Sequence, residues 1–291
     1  MKTLFIVNST KKTASGVVDH LAHLLADDDV SFSYTDHSGH ATEICKALSP
    51  DVELIVAVGG DGTINECVNG IMQLSHKPAL AVLPFGTGND FVKSALTYEN
   101  HEQFIQARDQ GKVKSIDVGQ MDYNGSSEYF INIADAGMGP FAVKLMEKSP
   151  GWLPGKVKFS QAILRSLLLY KKGELAVESE GFGWKGVAYA IIVANGKYFG
   201  GGLGIAPSAE LDSGIFEGVI IGDVSTADYI KQVSRLRKAL PLNHPEVTYF
   251  KAKELSITGV GAMEKDGELG NELPVKITCL PQAMNLLVLE P

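Results

Sequence analysis

Two glycine-rich stretches carry the residues best suited to phosphate chemistry. The first is Val58-Gly59-Gly60-Asp61-Gly62-Thr63-Ile64-Asn65-Glu66. Downstream, Ile64, Cys67, Val68, Ile71 and Met72 recur at the spacing of one helical face, which starts a helix near Thr63. The glycines then sit at a helix N-terminus, where unpaired N–H groups and the helix dipole favour an anion. Glycine lets a nucleotide phosphate approach that backbone closely. Asp61 is the discordant residue, because a bare carboxylate repels phosphate. It makes sense with a divalent cation or a proton in transit between them. It could hold Mg²⁺, directly or through water, or take a proton from an attacking hydroxyl; a turn or N-cap aspartate is the structural alternative. The second stretch, Leu83-Pro84-Phe85-Gly86-Thr87-Gly88-Asn89-Asp90-Phe91, repeats the theme. Thr87 and Asn89 can position phosphate oxygens, and Asp90 is either a second metal carboxylate or the cap of the next helix.

Both stretches must be positioned by strands. "TLFIVN" (3–8), "VSFSYT" (30–35), "ELIVAV" (53–58) and "ALAVLP" (79–84) read as strands. They are separated by helical patterns at 14–26 and 40–48, and this alternation predicts a parallel sheet with helices on both faces. Both glycine loops fall at strand carboxyl ends, where such sheets bind ligands. After about residue 115 the texture changes. "SIDVGQM", "EYFINIADAG", "GVAYAIIVANG", "GIFEGVIIG", "ELSITG", "VKITCL" and "NLLVLE" read as strands punctuated by turn residues. Helices are expected only at 157–172 and 226–240. The second half is therefore expected to be a mainly antiparallel sandwich or open barrel. "GGGLG" (200–204) reads as a turn, and so does Asp266-Gly267, between strands.

Composition bounds the function. The chain has 291 residues, a length comfortable for two domains, and a net charge of −8, which argues against a general nucleic-acid binder. Three widely spaced cysteines suggest free thiols, and the seven histidines show no HExxH spacing. The apolar run in "MKTLFIVNST" is too short for a signal peptide, and no run approaches a membrane span. The expectation is a cytoplasmic protein, at most peripheral to the inner face of a membrane. There is no GxxxxGK[ST] and no protein-kinase motif set.

Taken together, "GGDGTINECVNG" (59–70), "LPFGTGNDF" (83–91), "SIDVG" (115–119), "IAPSAELDSGIFE" (205–217) and "EKDGELG" (264–270) resemble the bacterial diacylglycerol kinase-like lipid kinases. "GGDG" alone is shared with NAD kinases and phosphofructokinases; the "GTGNDF" loop points to the lipid kinases. The resemblance implies a nucleotide-binding α/β domain (1–118), a β-sandwich (119–282) and a last strand (about 283–291) that could return to the first domain. The active site would lie in the cleft between. It implies transfer of the γ-phosphate of ATP to a lipid hydroxyl with Mg²⁺, diacylglycerol being the first-choice acceptor. It further implies nucleotide contacts from Asn8, Ser9, Thr10, Thr35, Gly60, Asp61, Gly62, Thr63, Ile64, Asn65, Glu66, Thr87 and Asn89. Asp61, Asp90 and Asp117 would form an acidic network around the catalytic Mg²⁺. Asp266 and Glu268 would act at the acceptor hydroxyl, with Glu268 preferred as proton acceptor.

Three departures from the family pattern matter. Asn8 is followed by Ser9-Thr10-Lys11-Lys12, so either lysine could take the phosphate-facing role. Lys93 stands where arginine is common. In Leu211-Asp212-Ser213-Gly214, Ser213 replaces an aspartate that holds a structural Mg²⁺, so that site is expected to be weak or absent, with Asp212 the only nearby carboxylate. The helix at 157–172, with Lys156, Lys158, Arg165, Lys171 and Lys172 around a leucine-rich face, reads either as packed on the sandwich or as membrane-facing, and the packed reading is preferred. Trp152 and Trp184 could be core or interfacial. Exposed sheet edges would permit a homodimer. The rival functions are an NAD kinase-type enzyme and a catalytically silent lipid-binding member of the fold.

Overall fold

The computed structural model describes residues 1–10, 12–95, 98, 100–150 and 152–289, without the side chains of Lys12, Thr13 and Lys156. Lys11, the Lys12 and Lys156 side chains, and the end of the last strand (290–291) therefore lie outside the described residues. The first half runs β1 (Thr3–Asn8), α1 (Lys12–Leu24), β2 (Val30–Thr35), α2 (His40–Lys46), β3 (Leu54–Gly59), α3 (Asp61–Ile71), β4 (Ala79–Pro84), α4 (Asp90–Ala95) and α5 (His101–Gln110). The four strands pair in parallel in the order β2-β1-β3-β4. Because both faces are covered, β1, β3 and β4 are almost wholly apolar, whereas the edge strand β2 carries Ser31, Ser33 and Thr35 and is only partly buried. On one face Ala14, Val18, Leu21 and Phe104 of α1 and α5 cover Phe5, Val56 and Ala81. On the other, Cys45, Ile64, Cys67 and Val68 of α2 and α3 cover Ile6, Ile55 and Val82.

The second half comprises β5 (Lys112–Tyr123), β6 (Ser126–Phe130), β7 (Ile133–Gly137), α6 (Met138–Glu147), α7 (Gly155–Leu169), β8 (Gly173–Ser179), β9 (Phe182–Ala188), β10 (Ala190–Ala194), β11 (Tyr198–Phe199) and β12 (Leu203–Gly204). It continues with β13 (Phe216–Ile221), α8 (Thr226–Arg237), β14 (Val247–Ala252), β15 (Glu254–Gly259), β16 (Ala262–Lys265), β17 (Glu268–Glu272) and β18 (Val275–Val288). One antiparallel sheet has the order β14-β13-β10-β7-β16-β17. It faces the β18-β15-β8-β9 part of the other sheet across a core that includes Phe130, Val177, Ile191, Phe216 and Ile257. The expected α/β domain with a parallel sheet, followed by an antiparallel β-sandwich, is the observed architecture. β18 is common to both halves: it pairs antiparallel with β5 and β15, and in parallel with β4 through Leu286 and Leu80.

Several elements depart from the sequence reading, each for a local reason. "EYFINIADAG" is two strands in different sheets, not one. The chain breaks where the N–H groups of Ile131, Asn132 and Ile133 turn onto the Asp266 carboxylate. "VKITCL" and "NLLVLE" join into one strand, bulged between Leu280 and Met284, where Gln282 has a φ of 51°. α6 was not foreseen, because Gly137, Gly139 and Pro140 look like loop punctuation. Pro is tolerated in a first helical turn, and Asp135 Oδ1 accepts the Gly139 N–H (3.2 Å) in place of a side-chain cap at Gly137. α5 was also missed; it opens on an Asn100 cap that accepts from Gln103 N–H.

Candidate active site

The two glycine loops touch. A Cβ at Gly60 would lie 2.8 Å from the Gly86 Cα, so neither position has room for a side chain. Gly60 caps α3 with extended backbone, and Asp61 is its first residue. The Asp61 carboxylate reaches across to the second loop, where Oδ1 accepts the Phe91 N–H at 3.2 Å. Asp90 approaches the same point: a Cβ at Gly88 would be 3.2 Å from Asp61 Oδ2 and 3.3 Å from Asp90 Oδ2. Asp90 Oδ2 also accepts the Gly201 N–H (2.8 Å), and Lys93 Nζ bridges the Gly88 carbonyl (2.8 Å) and Asp90 Oδ1 (3.3 Å). Burial first, and then the Asp90 and Asp266 charges, push the Asp61 carboxyl up to about 6. Asn89, with a φ of 49°, has a buried Oδ1 that finds no partner among the described residues. Two carboxylates near one point are hard oxygen donors of the kind Mg²⁺ takes, with Asp61 the freer of the two because Asp90 already holds Lys93 and the Gly201 N–H; Asn89 Oδ1 lies beside Gly86.

The sandwich contributes Glu268. It follows the Asp266-Gly267 turn of the β16–β17 hairpin, whose φ values of 50° and 90° belong to a type I′ loop. The turn and the site are therefore the same feature. A Cβ at Gly62 would fall well under 3.0 Å from Glu268 Oε1, so the hairpin delivers this carboxylate onto the first turn of α3. Among the described residues nothing donates a hydrogen bond to it. Burial, then the charges of Glu66, Glu147 and Asp266, raise Glu268 above the ordinary glutamate range, while Lys265 opposes them. Its neighbour is placed quite differently. Asp266 is buried and accepts from Asn65 Nδ2 (2.9 Å) and from the N–H groups of Ile131 (2.9 Å), Asn132 (3.0 Å) and Ile133 (3.0 Å). These four contacts hold the turn, and burial, the larger effect, raises the Asp266 carboxyl above the ordinary aspartate range against their pull.

At the other end, Asn8 and Thr35 are cross-strand partners at the carboxyl ends of β1 and β2. Asn8 Nδ2 donates to Thr63 Oγ1 (3.1 Å), and its Oδ1 accepts from the Thr10 N–H (3.0 Å). Thr10 and Ser9 are exposed. Thr87 is exposed on the second loop, and α7 begins against it: a Cβ at Gly155 would lie 2.6 Å from Thr87 Oγ1.

Other expected contacts are placed elsewhere. Ile64 is a core residue. Asn65 points to Asp266 and the Tyr129 carbonyl. The Glu66 carboxylate accepts from Gly39 N–H (2.8 Å) and Ala41 N–H (3.0 Å), capping α2, which has no cap of its own. Asp117 is not among the partners of Asp61 or Asp90. Its oxygens accept from Gly214 (2.6 Å) and Gln282 (2.8 Å) N–H groups, fastening the 211–214 loop to β5 and β18. In that loop Ser213 Oγ lies 3.1 Å from the Glu210 carbonyl and 2.9 Å from that of Ile215, and Asp212 pairs with Lys114 (2.9 Å). The serine hydroxyl and the lysine occupy the oxygens a cation would need, so these residues do not fit a structural Mg²⁺.

Sequence reasoning missed four participants. "GGGLG" is the expected turn, but its Gly201 N–H reaches Asp90. Asn69 clamps the Tyr129 backbone with both ends of its amide (2.9 Å each). Asp135 and Glu264 are buried neighbours on β7 and β16. Burial raises both carboxyls, Asp135 to about 6, and Glu264 accepts the Gly267 N–H under the turn. The signal for the last two was present in the polar residues of otherwise apolar strands. The histidines, scattered in sequence, partly gather: His37 and His40 stack (4.7 Å) beside Asp36 at the exposed end of β2.

Comparison with known proteins agrees with this division. A model of the diacylglycerol kinase catalytic domain matches residues 2–121, and one of the YegS C-terminal NAD kinase beta sandwich-like domain matches residues 133–288. A diacylglycerol kinase of Bacillus subtilis (strain 168) is 33% identical over 276 residues, covering 88% of this chain and 86% of that protein. A Staphylococcus epidermidis diacylglycerol kinase (strain RP62A) is 30% identical over 265 residues, covering 87% and 79%. The crystal structure of a diacylglycerol kinase from Bacillus anthracis str. Sterne superposes with a TM-score of 0.77 at 25% identity, covering 99% of this chain and 97% of that one.

Proposed function

The chain belongs to the diacylglycerol kinase family, and from that premise we propose that it transfers the γ-phosphate of ATP to a lipid hydroxyl, with diacylglycerol as the acceptor. The observation that carries this reading is the approach of Glu268, from the sandwich, to Gly62 at the N-terminus of the phosphate-facing helix. It brings a carboxylate of raised proton affinity to the place where an anion would bind. Phosphoryl transfer through a loose transition state asks mainly for positioning and charge neutralisation.

The residues divide that work. Backbone N–H groups of Gly60 to Thr63 and the 86–88 loop face the phosphates. Asn8, Thr10 and Thr35 line the strand ends on the nucleotide side. Asp61 and Asp90 would hold Mg²⁺, which when bound neutralises phosphate charge, and Asn89 stands beside Gly86 on the phosphate side. Glu268 orients the acceptor hydroxyl and takes its proton; its raised pKa, set by burial and Glu66, suits a general base. Asp266, through its four N–H partners, and Glu264, beneath Gly267, fix the hairpin that carries Glu268. The nucleotide half is assigned to 1–118 and the lipid half to 119–282. The enzyme acts at the inner face of the membrane.

The test is a lipid-panel assay with mass readout: purified protein, ATP and Mg²⁺ with diacylglycerol, phosphatidylglycerol, ceramide, sphingoid base and a polyprenol in mixed micelles. NAD⁺ is run in parallel. Phosphatidic acid formed from diacylglycerol, and abolished by Glu268→Gln, is the expected result. Phosphorylation of NAD⁺ alone would overturn the assignment. ATP binding without transfer to any acceptor would make the chain a silent member of the fold.

A further inference from the structure

Asp135 and Glu264 stand opposite each other on β7 and β16, and both are buried. Their strand neighbours Ala134, Ala136 and Met263 belong to the core of the sandwich. Alternation along a strand therefore turns both carboxyls to the other face of the sheet, where α6 packs on β7 and β16. Each carboxyl fastens one piece of backbone. Asp135 Oδ1 accepts the Gly139 N–H (3.2 Å) in the first turn of α6, and a Cβ at Gly139 would collide with the same carboxyl. Glu264 Oε1 accepts the Gly267 N–H, one residue before Glu268. The two acids thus stand between the turn that carries Glu268 and the helix that packs beside it.

The two carboxyls are also hydrogen-bonded to each other. An ionised carboxylate only accepts, so this bond needs a proton on one of the two. The surroundings demand the same. The charges that bear most on Glu264 are Asp135 and Asp266, both acids. Lys265, the cation of β16, is turned to Glu128 Oε2 (3.1 Å). On α6, Lys144 is half-buried and Glu147 exposed; on β17, Glu268 is half-buried and Glu272 exposed. Tyr170 faces Asp135 as a neutral phenol, held so by burial and by that charge. β10, the other neighbour of β7, carries no titratable residue. Two buried carboxylates with no cation between them do not both stay ionised. Burial raises both, while their mutual bond pulls Asp135 down and Glu264 further up. The proton therefore sits on Glu264, and Asp135 accepts it.

We propose that Asp135 and Glu264 share one proton and act as a positioning pair, tying the turn that carries Glu268 to the first turn of α6. In its protonated form Glu264 does two things at once: it donates to Asp135 and accepts from Gly267. Loss of the proton leaves two adjacent negative charges in a buried site, breaks the bond between the strands and frees the Gly267 turn. Glu268 then loses its place against Gly62. The catalytic consequence rests on the lipid-kinase reading; the shared proton and the anchored turn do not.

The experiment uses the full chain, Glu264→Gln and Glu264→Ala. Glutamine keeps the acceptor for Gly267 and donates to Asp135 as the protonated acid does, but it has no proton to lose. The folded wild type keeps a proton that the unfolded chain gives up in the ordinary glutamate range, so its stability falls as pH rises above that range. Glu264→Gln should remove this fall and melt above wild type at about pH 8, by at least ~2 °C. The infrared difference, wild type minus Glu264→Gln, should show the carbonyl stretch of a protonated carboxylic acid at the same pH. Amide exchange at Gly267 reads the turn without any substrate: slow in wild type and Glu264→Gln, at least tenfold faster in Glu264→Ala. Turnover of diacylglycerol should follow, with kcat lowered by about 10- to 10²-fold in Glu264→Ala at unchanged KM for ATP, and largely restored in Glu264→Gln. A Glu264→Gln chain that melts below wild type at about pH 8, or a wild type without the acid band, would overturn the shared proton, because Glu264 would then be an ionised acceptor. Equal Gly267 exchange in wild type and Glu264→Ala would overturn the positioning role. Should Glu264→Ala not fold, the melting profile and the band of the glutamine variant decide. A wild type that phosphorylates no acceptor, while melting, band and exchange behave as stated, would sink the kinase reading and leave the pair standing.

Discussion

Gly62→Ala separates position from fold. Gly62 is the second residue of α3 and has no positive φ, so alanine suits its backbone. Replacing glycine by alanine in a helix stabilises it by up to about 1 kcal/mol, and the backbone N–H facing the anion is retained. The added methyl, however, enters space held by Glu268 Oε1, well inside the 3.0 Å that real Cβ atoms respect. The glutamate tip is flexible, so it gives way, and clearing the methyl displaces the carboxylate by about 1 Å, a shift that costs about 10²-fold in rate when it misplaces a reacting group.

The expected outcome is therefore a melting temperature equal to or above wild type, an unchanged KM for ATP, and a kcat for diacylglycerol lowered by about 10²-fold. A double-mutant cycle with Glu268→Gln sharpens it. If the methyl acts only by moving Glu268, it adds nothing to the slower Glu268→Gln enzyme, and the two changes are non-additive. A stable Gly62→Ala enzyme that turns over within threefold of wild type would refute the reasoning, because Glu268 would then not need its observed position. Fully additive losses would show that the methyl disturbs the phosphate loop instead.

Three further outcomes follow from the site. Burial holds the Asp61 proton in the folded chain to about pH 6, whereas an unperturbed aspartate loses it near 3.8, so metal-free stability falls as pH rises across that window, by up to ~3 kcal/mol. Asp61→Asn should flatten that part of the urea-denaturation profile while abolishing Mg²⁺-dependent nucleotide binding; an unchanged slope would show that Asp61 is not the group. Glu268→Gln should lower kcat by about 10²–10⁴-fold without lowering the melting temperature, whereas Asp266→Ala strands three buried N–H groups and should cost several kcal/mol at about 1–3 each. Equal stability of the two variants in guanidinium would contradict the division of roles. Asn69→Ala removes both bonds to Tyr129 and should destabilise the fold by about 2 kcal/mol, read by urea denaturation, with KM for ATP unaffected.

The parallel half was legible because its constraints are local. Continuous apolar strands, helical periodicity and glycine at the strand ends each bear on a few neighbouring residues, and β1 to β4 fall within a residue of their expected bounds. The sandwich was legible as a class and not in its joints. The break at Ile131–Ile133 is imposed by a carboxylate some 130 residues away in sequence, and no window of local pattern contains it. The same distance hides the side-chain partners. Asn65, Glu66 and Asp117 sit in motifs rich in polar residues, and their types fit a nucleotide site. Their partners are Asp266, the start of α2 and the 211–214 loop, and these become neighbours only once both halves are packed.

Those displaced residues explain how a site split between two halves stays aligned. Asn65 and Asn69 are on the same helix whose first turn faces Glu268, and both bind the β6 end of the sandwich. Asn65 also binds Asp266, which grips the β6–β7 break and is followed by Gly267 and Glu268. One helix thus carries the N–H groups proposed to face the phosphates at its start, one turn later the Asn65 amide that holds the hairpin presenting Glu268, and two turns later the Asn69 amide on Tyr129. The Asp61–Glu268 relation is therefore set by the rigid length of α3 rather than by a hinge between the halves. An inserted residue in α3 between Asp61 and Asn65 would rotate Asn65 by about 100°, releasing Asp266. Turnover should then be lost, while ATP, whose proposed contacts are the strand ends, the first turn and the second glycine loop, should still bind. Retained turnover in such an insertion variant would mean that the hairpin finds Glu268 its place without α3.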